Sequence, residues 1–212
     1  MINYVLFDAA GTLIVKPALF TTLQKVIRKS GSKPTLDEIK KKHKMLTELI
    51  PFPDRTNRNF YRYFNAELLC SLGILPKESL VNSMTTACAR LRWEAAPDTA
   101  ILQKLDLPMG ILSNFHGDLK KRIDRLFPGI FRDFFISANL GIAKPDKRIF
   151  QGALKKICLP ADQVLYVGDS FKLDFAPAQN LGMQALLIDR DGFYPKLNQK
   201  ISNLGQITKR LR

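Results

Sequence analysis

One aspartate, Asp8, follows an apolar run at residues 3–7 and precedes a turn that contains Gly11 and Thr12. An apolar run of this length is typical of a buried strand in a parallel sheet. A carboxylate at the end of such a strand lies where α/β sheets place their chemistry, and it can act as a nucleophile. The simpler alternative is an aspartate that only caps a turn. Asp8 is therefore a candidate nucleophile, and its interpretation depends on partners elsewhere in the chain.

Three later segments contain the residue types that such a nucleophile requires. Ser113 and Asn114 follow an apolar run and could hydrogen-bond the oxygens of a phosphoryl or carboxylate group. Lys144 precedes a predicted helix start and could neutralise charge on the nucleophile and on the transferred group. Asp169 and Asp174 add two carboxylates, and Mg²⁺ prefers oxygen ligands. Each segment alone has an ordinary explanation as a turn, a surface lysine or a helix cap.

The apolar runs alternate with stretches of helical character. The runs lie at residues 3–7, 109–112, 134–137, 164–167 and 184–188, and helices are predicted at 98–106, 117–127, 146–157 and 174–181. This alternation predicts an α/β protein with a parallel sheet covered by helices on both faces. The four segments with candidate functional residues follow four successive predicted strands, so one edge of the sheet would bring them together.

About ninety residues without a convincing strand separate the first predicted strand from the second. A capping box at Thr35 and Glu38 predicts a helix that runs to about Ile50. Further helices are predicted at 60–72 and 78–94. Such an insert could simply extend the core. Because it follows the Asp8 loop directly, we favour a lid that excludes water and selects substrate.

The composition is that of an ordinary folded protein with a basic surface. The chain has 212 residues, 46% of them hydrophobic, and a net charge of +14. The charge is spread along the chain, so we favour attraction of anionic substrates over nucleic-acid binding. No stretch approaches the roughly 20 apolar residues that span a bilayer, and no signal-peptide pattern opens the sequence, so we expect a cytoplasmic protein. Cys70, Cys88 and Cys158 lack metal-ligand spacing and are predicted to be buried free thiols.

Taken together, the four segments resemble the motifs of the haloacid dehalogenase-like hydrolase superfamily, in the branch with a helical cap inserted after the first strand. The resemblance covers essentially the whole chain. It implies a Rossmann-like core at residues 1–15 and 96–212 and an all-helical cap at 16–95. The matching motifs are Asp8-Ala9-Ala10-Gly11-Thr12, Ser113 with Asn114, Lys144, and Gly168-Asp169-Ser170 with Asp174.

The resemblance also implies a role for each motif residue. An aspartyl-enzyme intermediate would form on Asp8, and the cofactor would be Mg²⁺. The implied catalytic residues are Asp8 and Lys144, the implied substrate-binding residues are Thr12, Ser113 and Asn114, and the implied metal ligands are Asp8, Asp169, Asp174 and the main-chain carbonyl of Ala10.

Ala10 departs from the pattern of the phosphatases in this superfamily. Those enzymes carry at this position an aspartate that protonates the leaving oxygen and later activates water. General acid–base help is worth about 10²–10⁴-fold in rate, and alanine cannot carry a proton. A phosphatase with Ala10 would use a substrate with a good leaving group, or take its proton carrier from water, from the cap or from His116. For His116 itself, a solvated loop histidine is the simpler interpretation.

Two other interpretations remain open. The chain could catalyse a different reaction, either phosphonate cleavage through a cap lysine or halide release, although the acidic pair Asp169 and Asp174 argues against the metal-independent dehalogenases. It could also be a non-catalytic descendant that binds a ligand or partner. We favour Mg²⁺-dependent hydrolysis of a small phosphorylated metabolite by a monomer or homodimer.

Overall fold

A computed structural model of the chain describes residues 1–53 and 56–211. The described chain forms two compact units. One, the core unit, takes in Met1–Val15, the short segment that begins at Phe52, and the chain from Ala95 onward. The other, the helical unit, comprises Lys16–Pro51 and Thr56–Glu94. The function of residues 16–95 as a cap stays a prediction.

The core unit is built on a six-stranded parallel sheet. Its strands are β1 (Tyr4–Phe7), β4 (Met109–Ser113), β5 (Asp133–Ile136), β6 (Val164–Gly168), β7 (Gln184–Ile188) and β8 (Lys200–Ile201). They lie in the order β5-β4-β1-β6-β7-β8, so β1 is paired with β4 on one side and β6 on the other. Every residue of β1, β4 and β6 is buried, which explains their continuous apolar sequences. The predicted class, a Rossmann-like α/β core, is confirmed.

Helices surround this sheet. They are α5 (Leu119–Leu126), α6 (Ser137–Leu140), α7 (Lys147–Ile157) and α8 (Ala176–Asn180), with 3₁₀ turns at Thr99–Lys104, Ala161–Gln163 and Leu204–Lys209. Strands and helices share one apolar cluster that includes Leu6, Leu112 and Tyr166 from the sheet with Ile149, Phe150 and Ala178 from α7 and α8. Because these residues pack closely together, the strands that carry the candidate site are held rigidly by the helices beside them.

Two of the predicted core helices differ from the structure. The segment predicted at 98–106 is the 3₁₀ turn Thr99–Lys104, and short connectors of this kind are where 3₁₀ geometry is common. The segment predicted at 174–181 is a π-helical turn at Phe171–Phe175 followed by α8. Pro177 has no backbone N–H and therefore suits the first turn of a new helix better than a helix interior.

The helical unit contains four helices. They are α1 (Leu19–Arg28), α2 (Leu36–Leu49), α3 (Arg58–Ser71) and α4 (Glu78–Ala89). The capping box is confirmed: the Glu38 amide donates to Thr35 Oγ1 at 3.2 Å, and the Thr35 amide donates to Glu38 Oε2 at 2.7 Å. The helix predicted at 78–94 ends at Ala89 instead. The predicted segment's last residue, Glu94, belongs to a short strand, β3 (Glu94–Ala95), which pairs with β2 (Ile14–Val15). Two-residue strands carry no periodic signal, so the sequence did not reveal them.

All three cysteines are free, as predicted, but the prediction that they are buried is wrong for two of them. Cys70 and Cys158 are exposed and Cys88 is half-buried. In α3 the buried positions include Leu68 and Leu69, and Cys70 lies on the opposite side of the helix. Within the described residues, no helix has both the length and the apolar character that crossing a membrane requires.

Candidate active site

The parallel register brings the ends of three strands side by side. Phe7, the last residue of β1, is paired with Ile111 of β4 and with Val167 of β6. The next residues along each chain segment therefore emerge together at the carboxyl edge of the sheet. Asp8 emerges there after β1, and its amide donates to the Val167 carbonyl at 2.8 Å.

Lys144 lies at the centre of this edge. Its ammonium donates to Asp8 Oδ1 at 2.7 Å, to Asp174 Oδ1 at 2.5 Å and to the Tyr166 hydroxyl at 3.1 Å. These three acceptors match the three N–H donors of an ammonium group. Asp8, Lys144 and Asp174 are only 6%, 2% and 2% exposed. The structure thus buries one cation between two carboxylates and satisfies all of its donors.

Asn114 holds the main chain of Lys144. The Lys144 amide donates to Asn114 Oδ1 at 2.8 Å, and Asn114 Nδ2 donates back to the Lys144 carbonyl at 2.9 Å. The resemblance implied that Asn114 binds substrate. In the structure its side chain fixes the lysine loop, and one N–H of the amide remains for another acceptor.

Ser113 and Thr12, the other two residues implied to bind substrate, differ in their contacts. Ser113 Oγ donates to Asp8 Oδ1 at 3.1 Å. The Thr12 hydroxyl is buried and has no hydrogen-bond partner among the described residues. A buried hydroxyl without a partner is costly, so this atom is suited to an acceptor or donor that arrives with a ligand.

Asp169 and Asp174 complete an acidic cluster with Asp8. One carboxylate oxygen from each of the three lies within 4.8 Å of the others. Three hard oxygen donors at this spacing fit a divalent cation such as Mg²⁺. Ala10 lies in the turn after Asp8, where it forms a bridge with Ile14. The contribution of its carbonyl to a metal site stays a prediction.

Two glycines make room for the cluster. Gly11 has a φ of +90°, and a Cβ there would lie 2.8 Å from the Asp169 carboxylate. A Cβ at Gly168 would lie 2.3 Å from the carboxyl carbon of Asp174. Any other residue would therefore displace a carboxylate, and at Gly11 it would also adopt a strained backbone. The turn and the strand end are shaped around these acidic groups.

The pKa values of the buried groups reflect their mutual contacts. Burial raises the pKa of Asp8 to about 7, with Lys144 acting in the opposite direction and Asp174 and Asp169 reinforcing the rise. Burial lowers the pKa of Lys144, but Asp174 and Asp8 outweigh it, so the pKa is raised above its ordinary value. A cation among the carboxylates would favour the ionised form of Asp8.

Two residues that bond to the site were not predicted from the sequence. Arg190 donates to the Gly11 carbonyl in the turn after Asp8, and Tyr166 contacts the buried charged groups. The Tyr166 hydroxyl lies 2.9 Å from Asp174 Oδ1 and 3.1 Å from the Leu112 carbonyl, besides its bond from Lys144. Burial, Asp174 and Asp8 raise the pKa of Tyr166 well above its ordinary range. A tyrosine inside an otherwise aliphatic buried strand was the available signal, because a buried hydroxyl requires a partner.

His116, considered as a proton carrier, is exposed. Its Nδ1 lies 2.9 Å from Asp118 Oδ1, and the side chain is 51% exposed. This arrangement agrees with a solvated loop histidine.

Comparison with known proteins identifies the family of the chain. The family model for haloacid dehalogenase-like hydrolases matches residues 2–182, and the chain belongs to that family of hydrolases. Over 116 residues it is 32% identical to haloacid dehalogenase-like hydrolase domain-containing protein 3 of Danio rerio; the match covers 49% of this chain and 45% of that protein, less than half of its length.

Two further similarities extend over almost all of the chain. The chain is 24% identical over 201 residues to glyceraldehyde 3-phosphate phosphatase of Methanopyrus kandleri, covering 90% of this chain and 85% of that protein. The HAD-hydrolase YfnB of Bacillus subtilis, solved bound to magnesium, superimposes with a TM-score of 0.68 at 21% identity, covering 99% of this chain and 98% of that one. At this identity the structural similarity establishes a shared fold and no more.

Proposed function

We propose that the protein is a Mg²⁺-dependent phosphatase that acts on a small phosphorylated metabolite through a phosphoryl group carried on Asp8. The observation that carries the proposal is the buried set of Asp8, Lys144 and Asp174 with Asp169 close by. Buried charges are expensive, and perturbed groups gathered at a sheet edge are typical of catalytic sites. The similarity to a phosphatase named for glyceraldehyde 3-phosphate, over 90% of this chain, supports a small phosphorylated substrate.

In the first step, a carboxylate oxygen of Asp8 attacks phosphorus. The bond between phosphorus and the leaving oxygen breaks, and that oxygen departs with the electron pair. Ser113 and Lys144 donate hydrogen bonds to Asp8 Oδ1, so they orient the carboxylate and favour its ionised form. The unpartnered Thr12 hydroxyl and the spare N–H of Asn114 are assigned to the oxygens of the transferred group.

In the second step, water attacks phosphorus, the bond to Asp8 breaks, and phosphate leaves. Asp8, Asp169, Asp174 and the Ala10 carbonyl would hold Mg²⁺, which when bound offsets the negative charge of the phosphoryl oxygens. Lys144 remains between Asp8 and Asp174 and supplies a fixed positive charge in both steps.

The alanine at position 10 narrows the substrate class. An alkoxide leaving group needs a proton, and Ala10 cannot provide one. We infer a substrate whose leaving group departs without prior protonation, such as an acyl phosphate. The alternative is an ester whose leaving oxygen takes its proton from water. The alternative reactions, phosphonate cleavage and halide release, do not need an aspartate at this position, so the assay includes tests for both.

The deciding experiment compares the native chain with Ala10→Asp on a panel of phosphate esters and acyl phosphates, with and without Mg²⁺. We expect Mg²⁺-dependent turnover that favours acyl phosphates, and a gain on poor leaving groups of up to about 10²-fold in Ala10→Asp. Asp8→Asn is the inactive control. Absence of Mg²⁺-dependent turnover on every compound would overturn the proposal.

Additional arms of the assay identify the alternatives. Halide release with the metal chelated would indicate a dehalogenase. Inactivation by borohydride in the presence of an aldehyde substrate would indicate a phosphonate-cleaving enzyme. Binding of a ligand or partner that survives Asp8→Asn would indicate a non-catalytic role, and binding of nucleic acid would show a steep salt dependence.

A further inference from the structure

Arg190, which follows β7 after Asp189, reaches the turn that follows Asp8. Its Nη1 donates to the Gly11 carbonyl at 2.6 Å, and its Nη2 donates to the Thr12 carbonyl at 2.8 Å. These carbonyls lie three and four residues after the candidate nucleophile. Thr12 is fully buried, and buried carbonyls require a hydrogen-bond partner. Arg190 therefore satisfies two main-chain acceptors of the turn with one rigid group.

The guanidinium is itself fixed on its other side. Its Nε donates to Asp98 Oδ2 at 3.0 Å and its Nη2 donates to Asp98 Oδ1 at 2.8 Å, while the Leu204 amide also donates to Asp98 Oδ2 at 3.0 Å. A planar fork held by a carboxylate is oriented more firmly than a lysine ammonium. The side chains of Arg190 and Asp98 are 23% and 16% exposed, so this ion pair is largely shielded from water.

The loop that carries Arg190 is also anchored. The Asp189 carboxylate accepts the amides of Phe193 at 2.7 Å and Tyr194 at 2.9 Å. Because Asp189 is buried next to Arg190, these bonds hold the arginine's main chain at the sheet edge. Both ends of the Arg190 side chain are thus positioned before any ligand binds.

The turn at residues 8–12, to which Arg190 donates its hydrogen bonds, contains Asp8 and lies next to Asp169. It begins at Asp8, and at Gly11 it lies so close to the Asp169 carboxylate that a Cβ would collide with it. A shift of the turn would therefore change the position of Asp8 relative to Asp169. A misplacement of 1 Å in an active site can reduce the rate by about 10²-fold.

We propose that Arg190 is a positioning residue for Asp8. Its guanidinium, anchored by Asp98, holds the Gly11 and Thr12 carbonyls and so fixes the turn at residues 8–12 relative to Asp169. The kinetic part of this inference rests on the proposed phosphatase function. The structural part does not, because the rigidity of the turn can be measured without a substrate.

The experiment compares Arg190→Met, Arg190→Lys and Asp98→Asn with the native protein. Arg122→Met is the matched control, since the Arg122 side chain is 22% exposed and pairs with Asp118 at 2.9 Å in the same unit. Hydrogen exchange is followed at the amides of Gly11, Leu13 and Ile14, which bond within the turn to the carbonyls of Ile14 and Ala9. Steady-state kinetics with Mg²⁺ are measured on the best phosphate ester or acyl phosphate.

We expect Arg190→Met to lower kcat by about 10²-fold with a smaller effect on KM, because Thr12 moves with the turn whereas Asn114, the other group assigned to the phosphoryl oxygens, lies outside it. Exchange at the three turn amides should accelerate. Arg190→Lys and Asp98→Asn should fall between native and Arg190→Met, while Arg122→Met should match the native protein in both measurements.

Unchanged kcat and unchanged exchange in folded Arg190→Met would overturn the inference, as would an equal loss in Arg122→Met. If Arg190→Met does not fold, Arg190→Lys and Asp98→Asn decide by the same two measurements. If the native protein hydrolyses no phosphate compound, the proposed function fails. Faster turn exchange confined to the Arg190 and Asp98 variants would still support the positioning role, and native exchange in them would overturn it.

Discussion

The two units of the chain bury polar groups in different ways. In the core unit, Asp8, Lys144 and Asp174 are charged groups buried at the sheet edge. In the helical unit, the Lys41–Asp37 pair has both side chains more than 60% exposed, and the Lys44–Glu48 pair, whose side chains are 14% and 18% exposed, joins successive turns of α2. The buried contact between Asn65 and Thr85 in that unit joins neutral groups.

The neutral groups of the helical unit are easily satisfied. Asn65 Nδ2 donates to Thr85 Oγ1 at 3.0 Å, and that hydroxyl donates to the Val81 carbonyl at 2.8 Å. His43 packs edge-on between Phe20 and Phe64, with ring centroids 5.3 and 5.0 Å away. Burial, followed by the nearby Lys44 charge, lowers the pKa of His43 to about 4, so its ring is neutral near pH 7.

This difference between the two units shows that packing of the helices and burial of charge have different energetic requirements. Helix packing needs only satisfied hydrogen bonds, and neutral groups provide them at small desolvation cost. A buried ion pair is weak support for stability, because apolar residues of similar volume often serve as well. A stabilising role alone therefore does not account for the charged cluster of the core unit.

The largest effect is expected for Lys144→Met, measured with the metal chelated for stability and with Mg²⁺ for activity. Two buried carboxylates lose their partner, so the free energy of unfolding should fall by about 3–5 kcal/mol. Loss of the fixed charge should lower kcat by about 10²–10³-fold. Denaturant unfolding and steady-state kinetics are the measurements.

Lys41→Met in α2 is the matched control for Lys144→Met. Its exposed pair with Asp37 should be dispensable, so neither the melting temperature nor kcat should change detectably. Equal effects of the two substitutions would remove the contrast between the units.

A smaller effect is expected for Tyr166→Phe. The change removes the hydroxyl that accepts from Lys144 and contacts Asp174, and leaves the ring in place. One ammonium N–H then lacks a partner, so stability should fall by about 1–3 kcal/mol. We expect kcat to fall by roughly 10-fold with little change in KM, the pattern of a lost transition-state contribution. Tyr63→Phe, on an exposed tyrosine of α3, is the control, and a rise in KM at constant kcat would contradict the assignment.

The smallest effect on kcat is expected for His43, which should change only how stability depends on pH, measured with a chelator present. Because the pKa of folded His43 is about 4 and its ordinary value is 6.5, the unfolded chain binds more protons between these values. Stability should therefore be lost as the pH falls from about 6.5 to 4, by up to about 3 kcal/mol. His43→Leu should remove this dependence without affecting kcat.

Asp8 should act in the opposite direction over a similar range. Its folded pKa of about 7 lies above the ordinary 3.8, so the folded chain binds the extra proton. Its contribution to stability should be lost as the pH rises from about 4 to 7. Asp8→Asn should remove that loss. The two substitutions should change the slope of the free energy of unfolding against pH in opposite directions. If His43→Leu and Asp8→Asn change it in the same direction, the assignment of His43 as a base with a lowered pKa and Asp8 as an acid with a raised pKa is wrong.

Much of the core could be predicted because its signals are local. The buried strands are continuous apolar runs, and each candidate residue follows the end of such a run. Parallel strands place those ends at one edge of the sheet, so the proximity of Asp8, Lys144 and Asp169 could be expected from their positions after successive strands. The capping box at Thr35 is likewise a signal contained within four residues.

The precise partners could not be predicted, because they depend on side chains far apart in the sequence. Asn114 bonds Lys144 across 30 residues, and Arg190 bonds Thr12 across 178 residues. The period-two pattern of a strand identifies the buried face and does not show which side chain a hydroxyl such as that of Tyr166 meets.

The apolar strands, the position of the candidate nucleophile Asp8 after the first of them and the alanine at position 10 can be identified from the chain itself, since they depend on residue identity and short-range pattern. The burial of Lys144 between two carboxylates, the use of Asn114 to hold its loop and the grip of Arg190 on the nucleophile turn arise only on folding. Hydrogen bonds act over about 3 Å, and only the packed sheet brings these distant segments within that reach.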